Sequence, residues 1–309
     1  MPIRIPDNLP ARKTLEDEGV YVMDSARAAR QDIRPLEIGL LNLMPNKERT
    51  ETQFTRLIGS TPLQVELTLV RITDHQSKNT SEDYLKTFYE TWGEVRNKKF
   101  DGFIVTGAPI ANIPFEEVRY WPEMLEIMDW TQTNVHHTMF ICWGAQAALH
   151  HFHGAQRYRM PTKAFGVFRH QVKAPKSPFL RGFSDSPMIP VSRYNDIDRS
   201  TLSPSLEIMI DNPEIGVCML GDGQHRAVHF LNHLEYDNRS LADEYERDIK
   251  AGLDTPPPAN LFPNGDTSAV PENRWRSHAH LLFQNWLNEI YQTTPYDLNK
   301  IGTNQAAVA

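Results

Sequence analysis

Residues 138–154 read TMFICWGAQAALHHFHG: an apolar run from Thr138 to Ile141 meets Cys142 and passes at once into Gly144, Ala145, Ala147 and Ala148. A strand that delivers a nucleophile and turns straight into a helix is a nucleophile elbow, a device best known for serine. The small residues let the turn be tight and the helix pack close. The thiol then sits at the helix amino end, where the partial positive charge favours thiolate over thiol. Cysteine also needs less activation than serine, because a small fraction is thiolate at neutral pH. The plainer reading, a small buried residue closing a strand, leaves the run of small residues behind Cys142 without a purpose.

Working outward, the preceding half of the chain alternates strands and helices. Residues 36–44, LEIGLLNLM, are almost continuously apolar, as a parallel strand buried on both faces should be. Asn46 to Ser60 has Phe54, Leu57 and Ile58 on one helical face, and Gln64 to Ile72 returns as a strand, completing a βαβ unit. Thr80 and Asp83 give a start resembling a capping box, followed by Tyr84, Leu85, Phe88 and Trp92 at helical spacing, which we assign to core. A strand from Gly102 to Thr106 opens into the loop Gly107-Ala108-Pro109, where a glycine allows backbone N–H groups to come close to a substrate. A helix from Glu123 to Trp130 leads to His136 and His137, ahead of the strand that carries Cys142. This order predicts an α/β fold, an open doubly wound and mostly parallel sheet with helices on both faces, whose ligands sit beyond the strand carboxyl ends.

Beyond the elbow, residues 157–211 break into short β-like runs separated by Pro and Ser, and read as insertions over the site. The runs beginning at Ile215 and Arg226 are joined by the turn signal Asp222-Gly223. The second ends in His233 and Glu235, which share a side of an extended chain. Helices are expected from Ser240 to Lys250 and from Arg274 to Tyr291, the latter with Leu281, Leu282, Trp286 and Ile290 as its apolar stripe, and a loop over residues 255–271. Residues 1–35, rich in Pro and charge, are expected to form an arm wrapping a single domain of residues 36–309.

Composition narrows the function classes. The chain has 309 residues, 40% of them hydrophobic and 23% charged, with a net charge of -7. That balance argues against a nucleic-acid partner. No run approaches the roughly 18 apolar residues of a membrane helix, and the amino terminus has no apolar signal core. We therefore expect a cytoplasmic protein. Two cysteines make neither a disulfide framework nor a four-ligand metal site; Cys218 is read as structural. His150, His153 and His170 are the alternative as a metal cluster, but the His-Glu-x-x-His type of spacing is lacking, and we expect no metal.

A cysteine nucleophile wants a base, the base an orienting carboxylate, and the developing oxyanion backbone donors. Cys142, His233 and Glu235 supply the first three. The N–H of Trp143 and one from Gly107 or Ala108 are candidates for the oxyanion hole. On these residues alone an acyltransferase, a glutamine amidotransferase, a cysteine hydrolase and a catalytically silent binding module all remain open.

A cysteine elbow served by a distant His-x-Glu in an alternating α/β chain resembles the class I glutamine amidotransferase fold. MPIRIPDNLP at the start, IRPLEIGLLNLMPNK at residues 33–47, FDGFIVTGAP, CWGAQAA and RWRSHAHLLFQNWLNEIYQTTPYDL near the end together resemble the homoserine O-acyltransferases of methionine biosynthesis built on that fold. The resemblance implies a ping-pong reaction in which an acyl group passes from acyl-CoA to Cys142 as a thioester, and then to the hydroxyl of L-homoserine. It implies His233 as general base, Glu235 as its orienting partner, and Lys163, Ser192 and Arg247 as substrate-binding residues. It implies no cofactor, and a homodimer. The chain departs from some members in reading His233-Leu234-Glu235 for His-Pro-Glu and in having Gly144 after the tryptophan. At Ala111 the family associates Glu with acetyl-CoA and Gly with succinyl-CoA. Alanine is neither; lacking a carboxylate, it leans to succinyl-CoA, with acetyl-CoA the alternative.

Overall fold

The structure, a computed structural model, describes residues 3–6, 8–18, 22–23, 34–74 and 79–302. In chain order its elements are β1 (Ile3–Arg4), α1 (Ala11–Asp17), β2 (Val22–Met23), β3 (Leu36–Leu41), α2 (Lys47–Ile58), β4 (Val65–Arg71), α3 (Glu82–Phe88), β5 (Glu90–Thr91) and α4 (Trp92–Val95). Then come β6 (Phe100–Val105), α5 (Trp121–Asn134), β7 (Val135–Ile141), α6 (Trp143–His153), β8 (Arg157–Arg169), β9 (Gln171–Val172) and β10 (Met188–Ile197). The last are β11 (Glu207–Asn212), β12 (Gly216–Asp222), β13 (Ala227–Phe230), α7 (Ser240–Lys250) and α8 (Arg276–Thr293).

One sheet runs β2-β1-β4-β3-β6-β7-β13-β12-β11-β9, with β5 pairing β4 off the path. From β2 to β13 every neighbouring pair is parallel, and β13-β12, β12-β11 and β11-β9 are antiparallel. The strands alternate side chains between two cores, as period two requires. On one face Ile38, Leu40, Leu67, Ile104 and Met139 meet Phe54, Leu57 and Ile58 of α2 and Leu282, Phe283, Trp286 and Ile290 of α8. On the other, Leu41, Val70, Phe103, Val105 and Phe140 meet Met124, Ile127 and Met128 of α5 and Ala145, Ala148 and Leu149 of α6. All six residues of β6 are buried because it is covered on both faces, and its one charged residue, Asp101, is paired with Arg34 at 2.8 Å.

Several boundaries differ from the sequence reading. Ser81, not Thr80, caps α3 by accepting the Tyr84 N–H at 3.2 Å. Trp92 does not continue that helix: the chain extends through β5, and Thr91 with Glu94 forms a capping box that starts α4. His136 and His137 lie within β7, not ahead of it. Residues 157–211 contain one 13-residue strand, β8, which pairs antiparallel with β10 in a separate two-stranded ribbon despite Pro161 and Pro190. Both prolines fit because each strand of a two-stranded ribbon has an edge whose N–H groups need no partner. Of the amino-terminal arm, β1 and β2 extend the parallel edge beyond β4, and α1 buries Ala11 and Leu15; residues 1–2, 7, 19–21 and 24–33 of that arm lie outside the described residues. Among the described residues no helix is long and apolar enough to cross a membrane.

Candidate active site

β7 ends at Ile141, and Cys142 takes φ 50° and ψ -113° before α6 begins. An L-residue is strained there, and such strain persists only where neighbours over-determine it. The Cys142 N–H donates to the Phe230 carbonyl at 2.7 Å, and its own carbonyl accepts the Gln146 N–H at 3.0 Å. Two glycines make room. A Cβ on Gly144 would lie 2.8 Å from the Thr106 carbonyl oxygen and 3.0 Å from that of Val105, so only glycine lets α6 start against the end of β6. A Cβ on Gly107 would lie 3.0 Å from the Cys142 Cβ and 3.7 Å from the Trp143 nitrogen, which places the Gly107 loop over the nucleophile. The Trp143 N–H is the first of α6 and has no carbonyl four residues back within the helix to bond.

His233 and Glu235 are placed differently from the sequence expectation. β13 stops at Phe230, and His233 and Glu235 belong to the turn that follows, not to an extended chain end. The turn brings Glu235 Oε1 to 2.7 Å from His233 Nδ1. The His233 N–H is anchored on the Pro190 carbonyl at 3.0 Å, and its ring stacks on Tyr236 with centroids 4.2 Å apart. His233 and Glu235 are 4% and 8% exposed, so their pairing is little screened. Burial alone would disfavour the imidazolium. The charge of Cys142, that of Glu235, and hydrogen bonds to both outweigh it and hold His233 well above the usual histidine range. With Nδ1 on Glu235, Nε2 is the nitrogen left for Cys142.

Lys163 on β8, Ser192 on β10 and Arg247 on α7 come together around two acids of α7 that the sequence reading passed over. Glu244 Oε1 accepts from Lys163 Nζ at 2.7 Å and from Ser192 Oγ at 2.6 Å. Asp248 takes Lys163 Nζ at 3.3 Å and Arg247 Nη2 at 2.7 Å. Pro190, which anchors His233, and Ser192 are two residues apart on β10, about 7 Å along the strand. The ribbon therefore joins this polar cluster to the His233 turn. Glu244 and Asp248 were hidden by their setting, because acids spaced along an exposed amphipathic helix read as a solvated face.

Ala111 is half-buried, and its carbonyl accepts from Asn195 Nδ2 at 2.6 Å. The Asn195 carbonyl accepts in turn from Gln146 of α6 at 3.2 Å, which ties the Ala111 loop to the elbow helix. Arg157 donates to the Ile113 carbonyl and Arg159 to Asn112 Oδ1, so two guanidinium groups border the same loop. Cys218 is fully buried, and burial pushes its thiol up to about 12. His150, His153 and His170 do not gather: His150 stacks on Phe115, His170 faces Asn232, and His153 faces Asp222.

The family described as Homoserine O-succinyltransferase matches residues 2–296. A homoserine O-succinyltransferase of Pelagibacterium halotolerans is 75% identical over 305 residues, covering 99% of this chain and 100% of its own length. A homoserine O-acetyltransferase of Rhizobium johnstonii is 58% identical over 306 residues, covering 98% of this chain and 100% of its own. Among solved structures, a glutamine amidotransferase from Thermotoga maritima superposes with a TM-score of 0.53 at 12% identity, over 84% of this chain and all of that one. That last likeness is one of fold: the sheet is of the glutamine amidotransferase-like type.

Proposed function

Because the chain belongs to the homoserine O-succinyltransferase family, we propose that it acylates the hydroxyl of L-homoserine from acyl-CoA by way of a Cys142 thioester, in the methionine branch of amino-acid synthesis. The observation that carries this reading is the strained Cys142 beside the buried His233–Glu235 pair, with the Gly107 loop above it. The Cys142 thiolate attacks the acyl carbonyl, and N–H groups of Trp143 and of Gly107 or Ala108 receive the oxyanion. The thiolate of CoA leaves with the proton of the His233 imidazolium. Acylation removes the Cys142 charge that had favoured that imidazolium, so burial again favours neutral His233. The neutral ring takes the homoserine hydroxyl proton as the oxygen attacks the thioester, and Cys142 departs as thiolate, restoring the pair. Glu235 keeps Nδ1 protonated and the ring oriented throughout.

Lys163, Ser192 and Arg247 bind the amino acid, with Arg247 suited to grip its carboxylate at two points and Glu244 and Asp248 holding the donors in place. Succinyl-CoA is the donor we favour. Ala111 adds no carboxylate at the acyl end, and Arg157 and Arg159 beside it give a positive field that suits a succinyl carboxylate. The Rhizobium relative supports acetyl-CoA as the second reading. We also assign residues 36–309 to one α/β acyltransferase domain with β8 and β10 inserted over the site, residues 1–35 to an arm, and the whole to a cytoplasmic homodimer.

The test is intact mass of the protein after mixing with each acyl-CoA alone, paired with CoA thiol release with and without L-homoserine. Acyl mass on Cys142 from succinyl-CoA, and turnover only with homoserine, is the expected result. Turnover without any acylated protein refutes the thioester route, and acylation by acetyl-CoA alone overturns the donor assignment.

A further inference from the structure

At the far end of α6 from Cys142, three imidazoles converge on one carboxylate oxygen. Asp222 Oδ2 lies 2.6 Å from His153 Nε2, 2.9 Å from His225 Nδ1 and 3.4 Å from His229 Nε2. Asp222 and His229 side chains are fully buried, and His153 and His225 are 4% and 14% exposed. Among the described residues no Lys or Arg pairs with Asp222. We propose that His153, Asp222 and His225, with His229 backing the carboxylate, form a binding site for a divalent transition-metal ion of the zinc class, distinct from the acyl-transfer site.

The lone-pair count favours this over a set of hydrogen bonds. A carboxylate oxygen offers two lone pairs, and three ring nitrogens face Oδ2, while Oδ1 is taken by the His225 backbone N–H at 3.1 Å. One cation takes one lone pair each from His153, Asp222 and His225, and His229 Nε2 is left to hydrogen-bond the carboxylate. Two imidazoles and a carboxylate with a fourth position for water are a set of borderline softness, suited to zinc or cobalt and poor for magnesium or calcium. One ligand atom each from His153, Asp222 and His225 already lies within 4.8 Å of the others. Tetrahedral bonds of about 2.0–2.1 Å set ligand atoms about 3.3 Å apart. His153 and His225 lie closer than that to Oδ2 and need withdraw by less than about 1 Å.

The rings are also supported from behind. His225 stacks on Phe152 at 4.3 Å and His229 on Phe140 at 5.4 Å, both nearly parallel. Such backing fixes ligand orientation before the ion arrives. The bound ion would clip the last residue of α6 to the β12–β13 hairpin. Those are the elements whose other ends present Cys142 and lead into His233. The site thereby braces the two halves of the catalytic pair from the side remote from chemistry.

The test uses the full-length chain carrying Cys142→Ser, stripped with a chelator, and titrated with Co2+ by absorption and with Zn2+ by calorimetry. We expect one ion per chain, the visible bands of four-coordinate cobalt, and a higher Tm with Zn2+. Loss of outer-shell partners alone typically weakens sites 10–100-fold, so His153→Ala and His225→Ala should each weaken binding at least about 100-fold. His151→Ala, on the same helix outside the cluster, should leave it unchanged. The proposal is overturned by no saturable binding to the parent protein, by a six-coordinate cobalt spectrum, by a sulfur-to-cobalt band, or by binding that survives both histidine variants. The parent spectrum decides the matter even if a variant folds poorly.

Discussion

Replacing Glu235 with Gln removes one charge and almost no volume from the turn after β13. Glu235 Oε1 is 2.7 Å from His233 Nδ1 in a buried setting, and its charge helps to raise His233. A hydrogen bond to a charged group contributes about 1.5–3 kcal/mol, and each 1.36 kcal/mol is a factor of ten. Glu235→Gln should therefore lower kcat/KM for acyl transfer by about 10- to 150-fold with the fold intact. It should do so in a particular way. The Cys142 and Glu235 charges together hold His233 up, and an imidazolium made less stable is a weaker partner for the Cys142 thiolate. The rate of iodoacetamide alkylation at Cys142, followed by mass across neutral pH, should reach half its maximum at a higher pH in the variant than in the parent. Thiol release from acyl-CoA should fall in parallel on the acid side. A variant with kcat/KM within about twofold of the parent, or with an unmoved alkylation profile, would refute the claim that Glu235 sustains the pair.

Gly144→Ala should cost about 1–3 kcal/mol of stability, because its Cβ meets the carbonyl oxygens of Thr106 and Val105, where β6 ends, at 2.8 and 3.0 Å. It should also lower kcat by up to about 100-fold, the usual cost of moving a reacting group by 1 Å; an undiminished kcat shows that the elbow has slack. Ala111→Glu should cut succinyl-CoA use by about 100-fold and spare acetyl-CoA, since like charges about 6 Å apart at an effective dielectric near 20 repel by about 3 kcal/mol; equal losses with both donors mean a general distortion. Glu37 is pushed up to about 7 by burial and by the charges of Glu66 and Asp101. The folded state therefore holds a proton that the unfolded state has released between about pH 4.5 and 7, and stability falls as pH rises across that window. Glu37→Gln should stabilise the protein by about 1–2 kcal/mol at pH 8 after allowing for its partial exposure, and by nothing near pH 4.5. Urea unfolding at the two pH values checks this; an equal gain at both attributes it to something other than ionisation.

The parallel half of the fold is legible in the sequence because its signals are local. β3, α2, β4, β6 and β7 each announce themselves within a dozen residues, and the elbow does so in five. What is not legible depends on partners distant in the chain. The pairing of His233 with Glu235 follows from a turn anchored on Pro190 of another sheet, so period-two reasoning reaches the right residues through the wrong geometry. The three imidazoles around Asp222 were equally hidden, since His153 and His225 are separated by β8 to β12. The acids Glu244 and Asp248 carry no pattern of their own. They acquire meaning only when β8 and β10 bring Lys163 and Ser192 across.

The sheet itself explains how Cys142 and His233, far apart in the chain, are brought together. β7 and β13 are parallel neighbours with Ile141 opposite Phe230, so both strands reach their carboxyl ends at the same level. The bond from the Cys142 N–H to the Phe230 carbonyl continues that ladder one step into the elbow. On the other side, the Leu231 N–H donates to Cys218 of β12 at 2.7 Å, which fixes the chain as it leaves β13. Only Asn232 then separates a residue pinned in the sheet from His233. Strain at Cys142 is thus opposed by a ladder bond to β13, whose exit is itself held on β12, and a change that loosens β13 should relax Cys142 as well as move His233. Antiparallel β12 contributes the outer restraint. The switch from parallel to antiparallel pairing at β13 is therefore part of how the site is held.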